Sequence, residues 1–96
     1  MTVDSVWVFV GDGGVHPFGV FASRDDAEVV IAANELSGVL TWYPLGQSVY
    51  DYVVEKEFFT PSRPYQEEAK FKQRFSSASL PHEHYIDGRR EGGEAS

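Results

Sequence analysis

Cysteine is absent from this 96-residue chain, which excludes a disulfide framework and a thiolate metal site. A domain this small without cross-links folds on its apolar core alone, and that suits a reducing compartment. Long apolar runs are missing as well. The longest are residues 6–10 and 29–33, far below the roughly 18 residues that a membrane span needs. Basic residues are few: 8 Lys and Arg stand against 15 Asp and Glu, a net charge of −7. An acidic surface repels phosphate backbones, so nucleic-acid binding is disfavoured. The first five residues, Met1-Thr2-Val3-Asp4-Ser5, lack the basic stretch and apolar run of a secretion signal. These absences lead to the expectation of a cytoplasmic protein with no membrane segment.

What the chain does have is aromatic bulk. Seven Phe, five Tyr and two Trp make up 15% of residues, and apolar residues reach 42%, a globular value. Each buried aromatic removes roughly 150–250 Å² from water, so a few suffice for one core. The length fits a single domain.

The local patterns give an order of elements. Residues 5–11 read as a strand apolar on both faces, with Val6, Val8 and Val10 on one side and Trp7 and Phe9 on the other. Gly11-Asp12-Gly13-Gly14 is a turn, and residues 18–22 form a second strand paired with the first, with Pro17 suited to an edge. Ser23 caps a helix over residues 24–35, where Asp26 imitates a capping box and Ala27, Val30 and Ile31 face the core. Gly38 is expected to close that helix in a left-handed cap. Residues 39–43 form the third strand and Pro44 follows it. Val39, Thr41 and Tyr43 share one face, and Leu40 and Trp42 the other.

Residues 49–57 carry two competing patterns. Ser48 with Asp51 predicts a capped helix, whereas Tyr-Asp-Tyr-Val-Val is rich in β-formers. The capping pattern favours a helix. Residues 60–64 are a proline-stiffened connector. Residues 65–75 predict a third helix with Phe71 and Phe75 one turn apart, and residues 82–86 a last strand. The predicted fold is α+β: a small, mostly antiparallel sheet of three to four strands packed with two to three helices, in the order β-β-α-β-α-α-β. The domain spans residues 5–87, between a flexible N-terminus (1–4) and a disordered polar tail (88–96). Because the first and third strands are apolar on both faces, the second sheet face needs a cover. The default cover is the helical region from Tyr50 to Phe75, ahead of a partner protein or a second copy.

Several of these residues fall in a familiar order. Gly19-Val20-Phe21 with Ser23, Ala27-Glu28 and Ile31 is followed by Leu36-Ser37-Gly38, Leu40-Thr41, Tyr43-Pro44-Leu45 and Val49-Tyr50-Asp51. Phe58-Phe59 with Pro61, then Phe75-Ser76-Ser77-Ala78 and His84-Tyr85, continue it. The pattern resembles a family of small, mostly bacterial, uncharacterised proteins, and it covers roughly residues 6–88. The resemblance implies one domain and lends no catalytic residue. Val30 and Tyr52 stand where that family has tryptophan, a change that fits repacking of a core.

The chemistry-bearing groups are sparse. His82 and His84, at i and i+2 on a strand, point the same way and form the best candidate metal ligands, with Glu83, Asp87 or His16 as helpers. A complete site needs three or four convergent ligands, and an exposed polar strand explains the pair more simply. Ser76, Ser77 and Ser79 lie near these histidines without the Gly-x-Ser-x-Gly setting of a nucleophile, and local backbone bonding accounts for them. The Gly-rich turn after the first strand lacks the Lys-Ser/Thr of a phosphate loop and leads into a strand. Asp51, between Tyr50 and Tyr52, is either an acid–base group or, more simply, a helix cap or a partner of Arg63 or Arg74. Trp42, Tyr50, Asp51 and Phe75 are the candidate ligand-binding residues, in a pocket between sheet and C-terminal helices.

No catalytic set emerges, which disfavours an enzyme, and no cofactor is indicated. The expectation is a small acidic interaction module, immunity- or antitoxin-like, that meets a basic protein partner by electrostatic steering. It is expected as a monomer or homodimer. The alternatives are a small-ligand binder, and a metal-binding protein or metal-dependent enzyme using His82 and His84.

Overall fold

Alternation of side chains builds the sheet first. The computed structural model describes residues 4–91. Strand β1 (Ser5–Gly11) is internal, flanked by β2 (Gly19–Phe21) at the edge and β3 (Gly38–Pro44) at the centre of the sheet. Beyond β3 lie β4 (His82–Ile86) and β5 (Arg89–Arg90), giving a five-stranded antiparallel sheet in the order β2-β1-β3-β4-β5. Phe9 pairs with Leu40 and Trp7 with Trp42, so these four share a face. Val8 pairs with Val20 on one side and Thr41 on the other, which sets the opposite face.

Helix α1 (Arg24–Ala33) covers the first face. Ser23 is its cap, accepting the Asp26 N–H through Oγ at 3.1 Å. Ala27 and Ile31, one turn apart, are fully buried against Phe9, Leu40 and Tyr85, with Trp7, Phe21 and Leu36 packed around them. This is the main core.

A second, aromatic cluster forms after β3. Residues 49–55 are the helix of the two readings: α2 (Val49–Glu55) is capped by Ser48 Oγ, which accepts the Asp51 N–H at 3.0 Å. Tyr50 is buried, and its ring meets Phe59, Phe71 and Phe75 with centroids 6.0, 6.4 and 5.3 Å away. Its hydroxyl donates to the Gln66 carbonyl at 2.8 Å. Tyr52, on the next face of α2, packs edge-on against Trp42 at 5.3 Å.

Four expectations need correction. The single helix over residues 65–75 is a 3-10 turn (Pro64–Glu67) and a short helix α3 (Ala69–Gln73), separated by Glu68 in an extended conformation. In an unbroken helix, Tyr65 and Phe71 would lie on different faces. The break brings their rings to 5.7 Å and lets both join the aromatic cluster. Gly38 is not the cap of α1. It lies inside β3 opposite Gly11, and a Cβ there would meet the Val10 carbonyl oxygen and, at 2.8 Å, the Gly11 Cα. The sheet has one strand more than predicted, because Asp87-Gly88 turns the chain back into β5. The expected polar tail therefore begins inside the sheet, while residues 1–3 and 92–96 lie outside the described residues. The cover of the second sheet face is also partial. Residues 75–80 stand over Val39, Thr41 and Tyr43 of β3. Val6, Val8 and Val10 stay half-buried, and Val20 is 61% exposed.

Candidate functional site

The segment from Phe75 to Leu80 folds back over β3 and leaves a cleft of about 320 Å³. Its floor is the second sheet face: Val39, Thr41 and Tyr43, with His82 beside Thr41 on β4. Its wall is Val49 of α2 with Phe75, Ser76, Ser77, Ala78 and Leu80. Leu80 is buried and anchors the wall, and the Trp42 N–H donates to the Pro81 carbonyl at 2.9 Å, tying that segment to β3. Ser77 Oγ accepts the Ser79 N–H at 3.1 Å, the local bond expected of a serine-rich loop. Among the described residues, no Asp, Glu, Lys or Arg lines the cleft. Its polar groups are hydroxyls and one imidazole, so it suits a neutral, largely apolar occupant.

The sequence-derived candidates divide by place. Phe75 lines the cleft and also touches Tyr50. Tyr50 itself sits in the aromatic cluster, and Trp42 lies on the α1 side of the sheet against Tyr52. Asp51 is exposed, and among the described residues it makes no ion pair with Arg63 or Arg74. Tyr50 has its phenol raised, first by burial and then by the nearby Glu67 and Asp51 charges.

His82 and His84 do come together. Their ring centroids are 5.3 Å apart at an interplanar angle of 81°. His82 Nδ1 lies 2.9 Å from the Leu80 carbonyl oxygen. A carbonyl only accepts, so Nδ1 carries the proton in this contact. Among the described residues, no group of three or more His, Asp or Glu converges on one point.

A third constellation lies on the α1 side and was not visible in the sequence. Tyr85 donates to Glu28 Oε2 at 2.6 Å. Arg24 bonds Glu83 at 3.3 Å, and Arg90 stands 3.9 Å from both Glu28 and Glu83. Burial, then the Glu28 hydrogen bond and its charge, raise the Tyr85 phenol well above its ordinary range, with Arg90 pulling the other way. These partners are 57 to 62 residues apart in sequence or sit on the unforeseen β5, so no local motif marks them. The signal that was available is Asp87-Gly88, the favoured pair for a two-residue hairpin. Both residues have positive φ, 52° and 86°.

The fold and the cleft define the class: a small antiparallel α+β domain, one sheet face packed on a helix and the other partly open. Residues 6–91 match the family described as a domain of unknown function (DUF7710), and the chain belongs to that family. No curated protein and no solved structure matches it.

Proposed function

We propose that this is a non-enzymatic interaction module that binds a basic protein through its second sheet face, in the manner of an immunity protein or antitoxin. The observation that carries the reading is the open half of that face. Val20, Val8 and Thr41 form a cross-strand row, Val10 and Val39 a second, and neither row is fully covered. Ile86, 52% exposed and on the same face of β4 as His82 and His84, extends the apolar surface at one end. A partly exposed apolar face on a chain of net charge −7 fits a partner that is apolar at its centre and basic around it. No helix of the described residues is long and apolar enough to cross a membrane. The lack of cysteine supports a cytoplasmic setting.

The test is capture from native lysate at low salt, with elution by a salt gradient, by the wild-type chain and by Val20→Lys. The expected result is one basic protein held stoichiometrically by the wild type and roughly tenfold less by the variant. Equal capture by both chains contradicts the docking face.

The cleft favours a second reading, a binder of a small neutral ligand, since its volume falls at the low end of ligand sites. Empty eluates, together with ligand-induced shifts of the Thr41 and His82 resonances, would fit that reading instead.

A further inference from the structure

We propose that His82 and His84 form a two-histidine site for a divalent transition-metal ion, with Cu²⁺, Ni²⁺ and Zn²⁺ as the ions it takes. The site stands at the edge of the cleft and is independent of the protein-binding reading.

Strand geometry supplies the pairing. Residues i and i+2 project from the same face of β4, opposite Thr41 and Val39. Two imidazoles that share a metal at about 2.0–2.1 Å, with a ligand–metal–ligand angle between square and tetrahedral, have ring centroids roughly 4.5–5.2 Å apart. The observed separation of 5.3 Å lies just outside that range, so the two rings are already neighbours at close to the spacing a shared ion requires. An edge-to-face ring contact alone would give a similar distance, and a second feature is what separates the two cases. His82 has its Nδ1–H engaged by the Leu80 carbonyl at 2.9 Å. A backbone carbonyl on the far nitrogen is the usual outer partner of a metal-ligating histidine: it fixes the tautomer and leaves Nε2 with its lone pair free. Both residues are exposed, so an ion has access.

The ion class follows from the donors. Neutral imidazoles suit Cu, Ni and Zn, whereas Mg²⁺ and Ca²⁺ want oxygen. With only two protein ligands, the remaining positions belong to water. The site is therefore exchangeable, and Cu²⁺ is held most tightly by the general order of divalent affinities. His82 also lines the cleft, together with Thr41 and Ser77.

The chain carries its own control, because His16, a possible helper by sequence, is exposed and among the described residues does not converge with the pair. Zn²⁺ or Ni²⁺ is titrated into the untagged protein while the imidazole resonances of all three histidines are followed. The expected result is a joint response of His82 and His84 that saturates at one ion per chain, with His16 unmoved at that point. His84→Gln weakens the His82 response about tenfold, since chelation is lost, whereas His16→Gln changes nothing. Acidification releases the ion, because only the neutral ring ligates. Equal, unsaturating shifts at all three histidines overturn the proposal. So does an unchanged His82 response in His84→Gln.

Discussion

Both main helices end on a glutamate in the left-handed region. Glu35 has φ 52° and Glu57 φ 63°. Each closes a Schellman motif. Glu35 N–H donates to Ala32 O at 3.2 Å and Leu36 N–H to Ile31 O at 3.0 Å, while Glu57 N–H donates to Val54 O at 3.1 Å and Phe58 N–H to Val53 O at 2.8 Å. Glycine is the residue that fits such a position without strain, and a carboxylate beside the negative helix end is unfavourable. Glu35→Gly and Glu57→Gly are each expected to stabilise the fold by roughly 0.5–1 kcal/mol, against the entropy that glycine loses. Urea denaturation reads this as a higher midpoint at unchanged slope. Lower midpoints would show that the glutamates make contacts worth more than the strain. Tyr85 sets a second residue-scale test. Its phenol is raised in the folded state, whereas in the unfolded chain it ionises near 10. The unfolded state thus gives up the proton first. The stabilisation is complete below about pH 10 and is lost as pH climbs beyond it. Tyr85→Phe should flatten this alkaline decline and cost roughly 1–2 kcal/mol near neutrality, through the lost bond to Glu28. An identical alkaline profile in the variant would contradict the assignment.

At the scale of elements, β1, β3 and the starts of α1 and α2 were legible locally, whereas the Asp87-Gly88 hairpin, itself a local signal, was missed. Period-two alternation placed Trp7 and Phe9 opposite the valines of β1, and serine caps located the starts of α1 and α2. The misplaced Gly38 and the partial cover come from contacts between residues far apart in sequence, whereas the break at Glu68 joins rings six residues apart. Gly38 follows a helix and looks like its cap, but its role comes from the close approach of β1 to β3 around Gly11. Gly38→Ala should therefore cost about 2–3 kcal/mol through overpacking, read as a lower urea midpoint. A loss below 1 kcal/mol would mean the strands can separate cheaply. Gly88 is a parallel case: a Cβ there would sit 3.1 Å from Glu35 Cα and 3.2 Å from Ala32 Cα, and its N–H donates to Leu36 O at 2.8 Å. The Asp87-Gly88 turn thus packs against the end of α1, which fixes β5 in the sheet. The cleft was legible only in part. Alternation grouped Val39, Thr41 and Tyr43, and sequence proximity grouped Ser76, Ser77 and His82. Nothing local says that residues 75–80 fold back over β3. Aromatic type alone could not separate Phe75, in the cleft wall, from Trp42 and Tyr50, which are occupied by packing.

For the whole molecule, two properties act together: a net charge of −7 and a sheet with one well-packed face. The charge is uneven. Arg63, Lys70, Lys72 and Arg74 gather in the segment around α3, so the rest of the chain is more acidic than the total suggests. Such a distribution orients a basic partner before contact and screens out with salt. In the proposed complex, the apolar rows across β2, β1 and β3 would supply the short-range part of the interface. The most direct test compares salt-gradient elution of captured lysate protein from the wild-type chain and from Val20→Lys, with folding of both verified by their urea midpoints. The account predicts one basic protein, released by salt and held roughly tenfold less by the variant. A folded variant that retains the same partner at the same salt would contradict it.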